Sequence, residues 1–161
     1  LAVLLKQSEP GASIYGIDPD PDILTRAEIK ARDAGVLVHF AQGFAQDTAA
    51  IASPIRPNKV VSSLVLHQMP LAAKRMAILS AFAGLQPGGE LHIADYGLQS
   101  SPLMRFAFRQ VQTLDGFGNT QPNADGVLPE LMAEAGFVDV KENVVIPTPT
   151  GSISIYAARR A

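Results

Sequence analysis

With 161 residues, 47% hydrophobic and 17% charged, the chain suffices for one domain with a core and falls short of two. Thirteen basic against fifteen acidic side chains leave a net charge of −2 with no basic run, which excludes the electrostatic footprint of a nucleic-acid or anionic-membrane binder. Cysteine is absent, so disulfide scaffolds, thiolate metal sites and cysteine nucleophiles are excluded, in keeping with a cytoplasmic setting.

No stretch approaches the roughly 18–20 apolar residues of a membrane span, and no signal-peptide pattern opens the chain. The expectation is a single domain over residues 1–161. Leu1 to Leu5 already read as part of an apolar element, so the chain reads as a piece of a longer protein.

The first strand is expected at Ser13–Asp18. Asp20 then caps a helix whose first residue is Pro21, where a missing N–H costs nothing. That helix turns Ile23, Leu24, Ala27 and Ala31 inward and stops at Gly35. A second strand is expected at Val36–Phe40, and a third at Lys59–Leu66, whose near-continuous apolarity suits burial on both faces of a parallel sheet. Leu71–Leu85 is the next helix, with Met76, Leu79, Phe82 and Ala83 at helical spacing. Pro87-Gly88-Gly89 makes a tight turn into a strand at Glu90–Asp95.

Beyond it, Leu103, Met104, Ala107, Phe108, Val111 and Leu114 form one helical stripe. Gly116–Gly126 is expected as a polar loop, followed by a helix over about Val127–Ala135. Phe137–Ile146 and Gly151–Arg159 alternate like antiparallel strands.

Strands alternating with helices predict an α/β fold with a doubly wound, mostly parallel sheet and antiparallel C-terminal strands. Such sheets bind ligands beyond the carboxyl ends of their strands. That rule selects Asp18, Gly43-Phe44-Ala45, Ser62 to His67, and Asp95-Tyr96.

A carboxylate at Asp18 can accept two hydrogen bonds from a ribose diol, or it can merely cap the helix at Pro21. The glycine-rich phosphate turn that accompanies such a residue lies about 20 positions earlier, before Leu1. Asp18-x-Asp20-x-Asp22 lacks the glycine and glutamate of a calcium loop, having Ile23 and Ile29 there, so no metal site is expected. His39, His67 and His92 show no ligand spacing. Of the three, His67 stands at the ligand rim, where it lines a pocket or serves as a base toward a substrate proton within about 3 Å. Ser62 and Ser63 lack the flanking glycines of a nucleophile elbow, and Gly116-Phe117-Gly118 reads as a turn. These residues alone identify no catalytic constellation.

Taken together, Tyr15-Gly16-Ile17-Asp18-Pro19-Asp20, Val60-Val61-Ser62-Ser63-Leu64-Val65-Leu66-His67, Leu85-Gln86-Pro87-Gly88-Gly89-Glu90-Leu91 and Ala94-Asp95 have a recognisable order and spacing. The set resembles class I S-adenosylmethionine-dependent methyltransferases, nearest to the small-molecule ubiquinone/menaquinone-methyltransferase-like branch. The resemblance runs in register to about residue 97 and more loosely to the end.

It implies a Rossmann-like methyltransferase fold with an antiparallel last strand, in which the family's first strand and glycine-rich loop are missing here. It implies S-adenosylmethionine as cofactor, with Asp18 on the ribose, Pro19 against the adenosine, and Gly43, Phe44 and Ala45 lining the adenine pocket. Ser62, Ser63 and Leu64 would lie under the methionine part, with His67 and Tyr96 toward the acceptor. Many relatives place an Asp at the adenine amino group where this chain has Phe44.

The implied reaction is methyl transfer to a small-molecule or lipid-like acceptor, impaired to the extent that the missing loop matters. Alignment of the reactants carries roughly 7–11 kcal/mol of such catalysis, and a base is needed only where the acceptor must lose a proton. Acceptor choice falls to Leu98–Gly126, where Tyr96, Phe106 and Phe117 roof the site unless the helix simply packs on the sheet edge. Two other readings stay open: a nicotinamide-dependent oxidoreductase, which shares the acidic ribose residue, and a degenerate, non-catalytic interaction domain. Where the family's first strand is missing, the strands ending at Asp18 and near Leu66 must pair directly or expose edges, which favours self-association.

Overall fold

The computed structural model describes residues Leu1–Ala161. A short helix, α1 (Ala2–Ser8), leads to β1 (Tyr15–Asp18). Helix α2 (Pro21–Asp33) begins as its sequence dictates: the Asp20 side chain accepts from the Asp22 N–H at 2.8 Å, and Pro21 occupies the first turn. Only Ala31 of α2 is fully buried, and Ile23, expected inward, is exposed. Gly35, with φ +65°, ends the helix. Strand β2 forms at His39–Gln42, later than expected, because its register is set by parallel pairing with β1: Tyr15 lies opposite His39 and Asp18 opposite Gln42.

A one-turn 3-10 helix (Ala45–Asp47) and α3 (Thr48–Ala52) then pack on α4 (Leu71–Gly84). Between them runs β3, which spans Lys59–Ser63 and not the longer run through Leu66. Leu64 ends it by adopting φ +55°, a conformation that breaks the ladder.

Strand β4 (Glu90–Tyr96) pairs in parallel with β3. Three helices follow, α5 (Pro102–Asp115), α6 (Phe117–Ala124) and α7 (Leu128–Glu134). Helix α6 replaces the loop expected from its Gly, Asn and Pro residues. Tertiary anchors override local propensity there: Asn123 donates to the Tyr96 carbonyl at 2.8 Å, and Gln112 to Gln121 at 2.9 Å. The chain ends in a hairpin, β5 (Phe137–Thr148) and β6 (Gly151–Arg160), with β6 antiparallel to β4.

The strands form two sheets: β1–β2, and a four-stranded sheet ordered β3–β4–β6–β5. No ladder joins β1 to β3, so each exposes a backbone edge, the second of the two outcomes expected above. The fold is α/β, with parallel pairs early and an antiparallel C-terminal strand, as expected.

One face of the four-stranded sheet carries the core. Leu91, Ile93, Tyr156 and Ala158 meet Ala77, Ile78 and Ala81 of α4 and Leu128, Leu131 and Met132 of α7. The buried phase of α4 is therefore Lys74, Ala77, Ile78 and Ala81, continued by Leu85 just beyond the helix, while Met76, Leu79 and Ala83 face outward. β3 is not buried on both faces either: its residues alternate, with Val61 exposed, because it is an edge strand. A smaller cluster of Phe108, Val111 and Ala124 joins α5 to α6, while Leu103 and Leu114 of the expected stripe are exposed.

Candidate functional site

The turn after β3 brings the chain over the end of β4. Leu64 donates to the Ala94 carbonyl at 2.9 Å, and a 3-10 turn over Leu66–Gln68 follows. Under this turn lies Asp95, with no exposed surface. Its Oδ2 accepts from the backbone N–H groups of Val65 (3.1 Å) and Leu66 (2.7 Å). Its Oδ1 accepts from the N–H of Tyr96 at 2.8 Å and lies 2.7 Å from His67 Nδ1. Four partners compensate the burial of this charge.

A carboxylate can only accept, so His67 Nδ1 must donate, and Nε2 is left as the ring's reactive nitrogen. The ring is 7% exposed and packs edge-on against Tyr96, centroids 5.0 Å apart. Nε2 lies 3.3 Å from Oδ2 of Asp115, the last residue of α5. The imidazole is thus oriented by one buried carboxylate and faced by a second.

Lys74 braces the same turn from α4. Its side chain is fully buried, and Nζ donates to the carbonyls of His67 (3.2 Å), Met69 (2.9 Å) and Asn119 (2.5 Å). Burial pushes the ammonium down from 10.5 to about 8, against the opposing pull of the Asp95 charge. One cation thus ties the His67 turn to α6.

The other strand-end residues form two groups. At the ends of β1 and β2, the Gly43 N–H donates to the Asp18 carbonyl at 3.1 Å, and Gln42 Nε2 to the Pro19 carbonyl at 3.0 Å. Asp18 is half-buried, its Oδ1 accepts from the Asp20 N–H at 2.9 Å, and no protein donor reaches its Oδ2. The ring of Phe44 beside them is 58% exposed, and Ala45 is half-buried. Ser62, Ser63 and Leu64 stand at the end of β3, in the other sheet, together with His67 and Tyr96. The Tyr96 hydroxyl is 2.8 Å from that of Thr150, and its ring packs on Phe108 as well as His67.

The roof expected from Phe106 and Phe117 does not form, since both rings are exposed; Phe108 takes that place against Tyr96. A cleft of about 170 Å3 opens between α5 and α6, lined by Arg105, Phe108, Arg109, Gln112, Phe117, Gln121 and Ala124 and by none of the strand-end residues.

Sequence reasoning selected His67 and Asp95 as separate strand-end residues without pairing them, and it selected neither Asp115 nor Lys74. Two signals were present. Asp95 occupies the buried phase of β4, two and four residues after Ile93 and Leu91, where an unpaired carboxylate cannot stand. Lys74 holds the matching phase of α4, three and four residues before Ala77 and Ile78.

No protein-family model and no curated protein matches the chain. Solved structures do match it in fold. An O-methyltransferase family 2 protein from Planctomyces limnophilus, in complex with apigenin, superposes with a TM-score of 0.73 at 23% identity, over 99% of this chain and 46% of its own. Magnesium protoporphyrin IX methyltransferase from Synechocystis, with bound SAH, gives 0.72 at 16% identity, over 100% and 69%. An O-methyltransferase family protein from Burkholderia thailandensis gives 0.71 at 19% identity, over 99% and 47%. The chain has the fold of these methyltransferases, and it spans about half the length of the first and the third.

Proposed function

We propose that this chain forms a site for S-adenosylmethionine-dependent methyl transfer to the hydroxyl of a small, largely apolar molecule. The observation that carries the reading is the His67–Asp95 pair at the ligand end of a methyltransferase-type sheet. The sulfonium donor is supported by the chemistry of the strand ends. The free Oδ2 of half-buried Asp18 suits a ribose hydroxyl, and the exposed ring of Phe44 suits a flat base. Leu64, held at φ +55°, adds backbone strain of the kind that gathers at ligand rims.

On this reading Asp18 would hold the ribose, Pro19, Gly43, Phe44 and Ala45 the adenine side, and Ser62, Ser63 and Leu64 the methionine side. When bound, S-adenosylmethionine supplies a methyl group on positively charged sulfur, which an oxygen nucleophile displaces to give an ether and S-adenosylhomocysteine. His67 Nε2 takes the proton of the acceptor hydroxyl, and Asp95 orients the ring and balances its positive charge. Tyr96 packs edge-on against the ring and covers one side of it.

The test is titration of S-adenosylhomocysteine into the full chain, followed by methyl transfer from labelled S-adenosylmethionine to a panel of phenols. Binding that weakens about tenfold in Asp18→Ala is expected, about one lost charge-assisted hydrogen bond. Asp95→Asn should keep that binding and lose on the order of 10²–10⁴-fold in turnover. No binding at millimolar S-adenosylhomocysteine, with the fold intact, sinks the proposal. Protection against unfolding by NADH instead would favour the nicotinamide-dependent alternative.

A further inference from the structure

We propose that Asp115 is the gate on the acceptor side of this site: its carboxylate sits on His67 Nε2 until an acceptor hydroxyl displaces it. This rests on the reading of His67 as the base.

Asp95 and Asp115 meet the two nitrogens of one ring, at 2.7 and 3.3 Å. Their settings differ. The Asp95 side chain has no exposure and four partners, so it cannot leave. The Asp115 side chain is 29% exposed, and its carboxylate has no partner besides His67.

The backbone around it is held. The Asp115 carbonyl accepts from Asn119 Nδ2 at 3.3 Å, and Lys74 and Tyr96 anchor α6 through Asn119 and Asn123. Opening is therefore a rotation of one side chain into solvent, with both helices in place.

The consequence is chemical. The Asp115 carboxylate stands 3.3 Å from Nε2, in the place an acceptor hydroxyl must occupy to donate to that nitrogen, so the base is idle while it stays. When Asp115 swings out, any proton held between it and Nε2 leaves to solvent, and the lone pair is then open to take the proton of the acceptor hydroxyl. The groups facing the ring are Asp95 and Tyr96 from β4, Asp115 from α5, and Lys74 of α4 through the His67 carbonyl. A partly exposed carboxylate beside Nε2 also sets the acceptor class. A neutral hydroxyl can take its place, whereas an acceptor with an anionic group beside the hydroxyl is repelled.

Diethyl pyrocarbonate acylates the unprotonated imidazole nitrogen, and peptide mass spectrometry reads His67, His39 and His92 separately in one sample. Asp115→Asn and Asp115→Ala should both raise the His67 labelling rate severalfold relative to His39, since each removes the carboxylate that stands at Nε2. Asp115→Glu should restore protection. Equal His67 rates in the native chain and in whichever of the two variants keeps its circular dichroism would overturn the gate. S-adenosylhomocysteine binding on the same samples separates the two ideas. Retained binding with no Asp115 effect removes the gate alone, and an Asp115 effect without binding removes the methyl-transfer reading alone.

Discussion

Between about pH 8 and pH 10 the free energy of unfolding is expected to rise, and the cause is Lys74. Its ammonium ionises at about 8 in the folded chain because burial disfavours the charge, and at its ordinary 10.5 once unfolded. Below pH 8 both states are charged and the folded state bears the whole penalty. Between the two values the unfolded chain binds the extra proton, so stability increases with pH. The full gap corresponds to on the order of 3 kcal/mol, of which 2–3 kcal/mol is regained by pH 10.

Tyr156 sets the upper limit. Burial pushes its hydroxyl up from 10 to about 12, so above pH 10 the unfolded state gains by releasing a proton that the folded state keeps, and stability falls. Urea unfolding followed by circular dichroism at pH 7, 8, 9 and 10 should show the midpoint climbing by about 1 M, given slopes of roughly 1–3 kcal/mol per molar. Lys74→Met leaves three carbonyls without their donor and lowers stability throughout, yet its midpoint should be flat over the same range. A native midpoint that falls from pH 8 to 10, or a Lys74→Met profile with the same rise, would refute the reasoning.

Phe108→Ala should cost about 3–5 kcal/mol, since the ring is 1% exposed between Tyr96 and Val111, and lower Tm by roughly 10 °C. Phe106→Ala, two positions earlier and exposed, should move Tm by no more than about 2 °C in the same calorimetric scan. Gly97→Ala should destabilise by at least about 1–3 kcal/mol in urea titrations, because a Cβ there would stand 2.7 Å from Ser154 Cβ and against the Tyr156 hydroxyl. Glu90 is held at about 2, well below its ordinary 4.5, chiefly by hydrogen bonds from Lys59 and His92. That stabilisation is present above pH 4.5 and lost toward pH 2, so Glu90→Gln should flatten the acid limb of the stability profile, an effect that added salt diminishes.

The α/β class was legible because helix caps and turns are local chemistry: Asp20-Pro21 starts α2 and Pro87-Gly88-Gly89 starts β4 as read. Which face of a helix points inward was not. Met76 and Leu79 are as apolar as Ala77 and Ile78, and only the position of the sheet decides which pair it covers. The same limit hid α6, whose holds include Tyr96 and Lys74, both distant in sequence. For the site, the strand-end rule located His67, Asp95 and Tyr96, but not the contacts among them. The partners Asp95 and Asp115 lie 28 and 48 residues further on, a pairing that spacing cannot express.

The break between the two sheets divides the strands into two separately hydrogen-bonded sets, and we expect the smaller set to behave as its own cooperative unit. With no ladder between β1 and β3, the β1–α2–β2 unit is tied to the remainder by covalent connection and by the packing of the segment before β3 on α4. Such a unit opens at its own, lower free energy, and its amides exchange ahead of those in β4 and β6. A molecule that grips Asp18 on one side and the Ser62–Leu64 turn on the other is then a staple across a seam. Its arrival would be felt as two melting events merging into one.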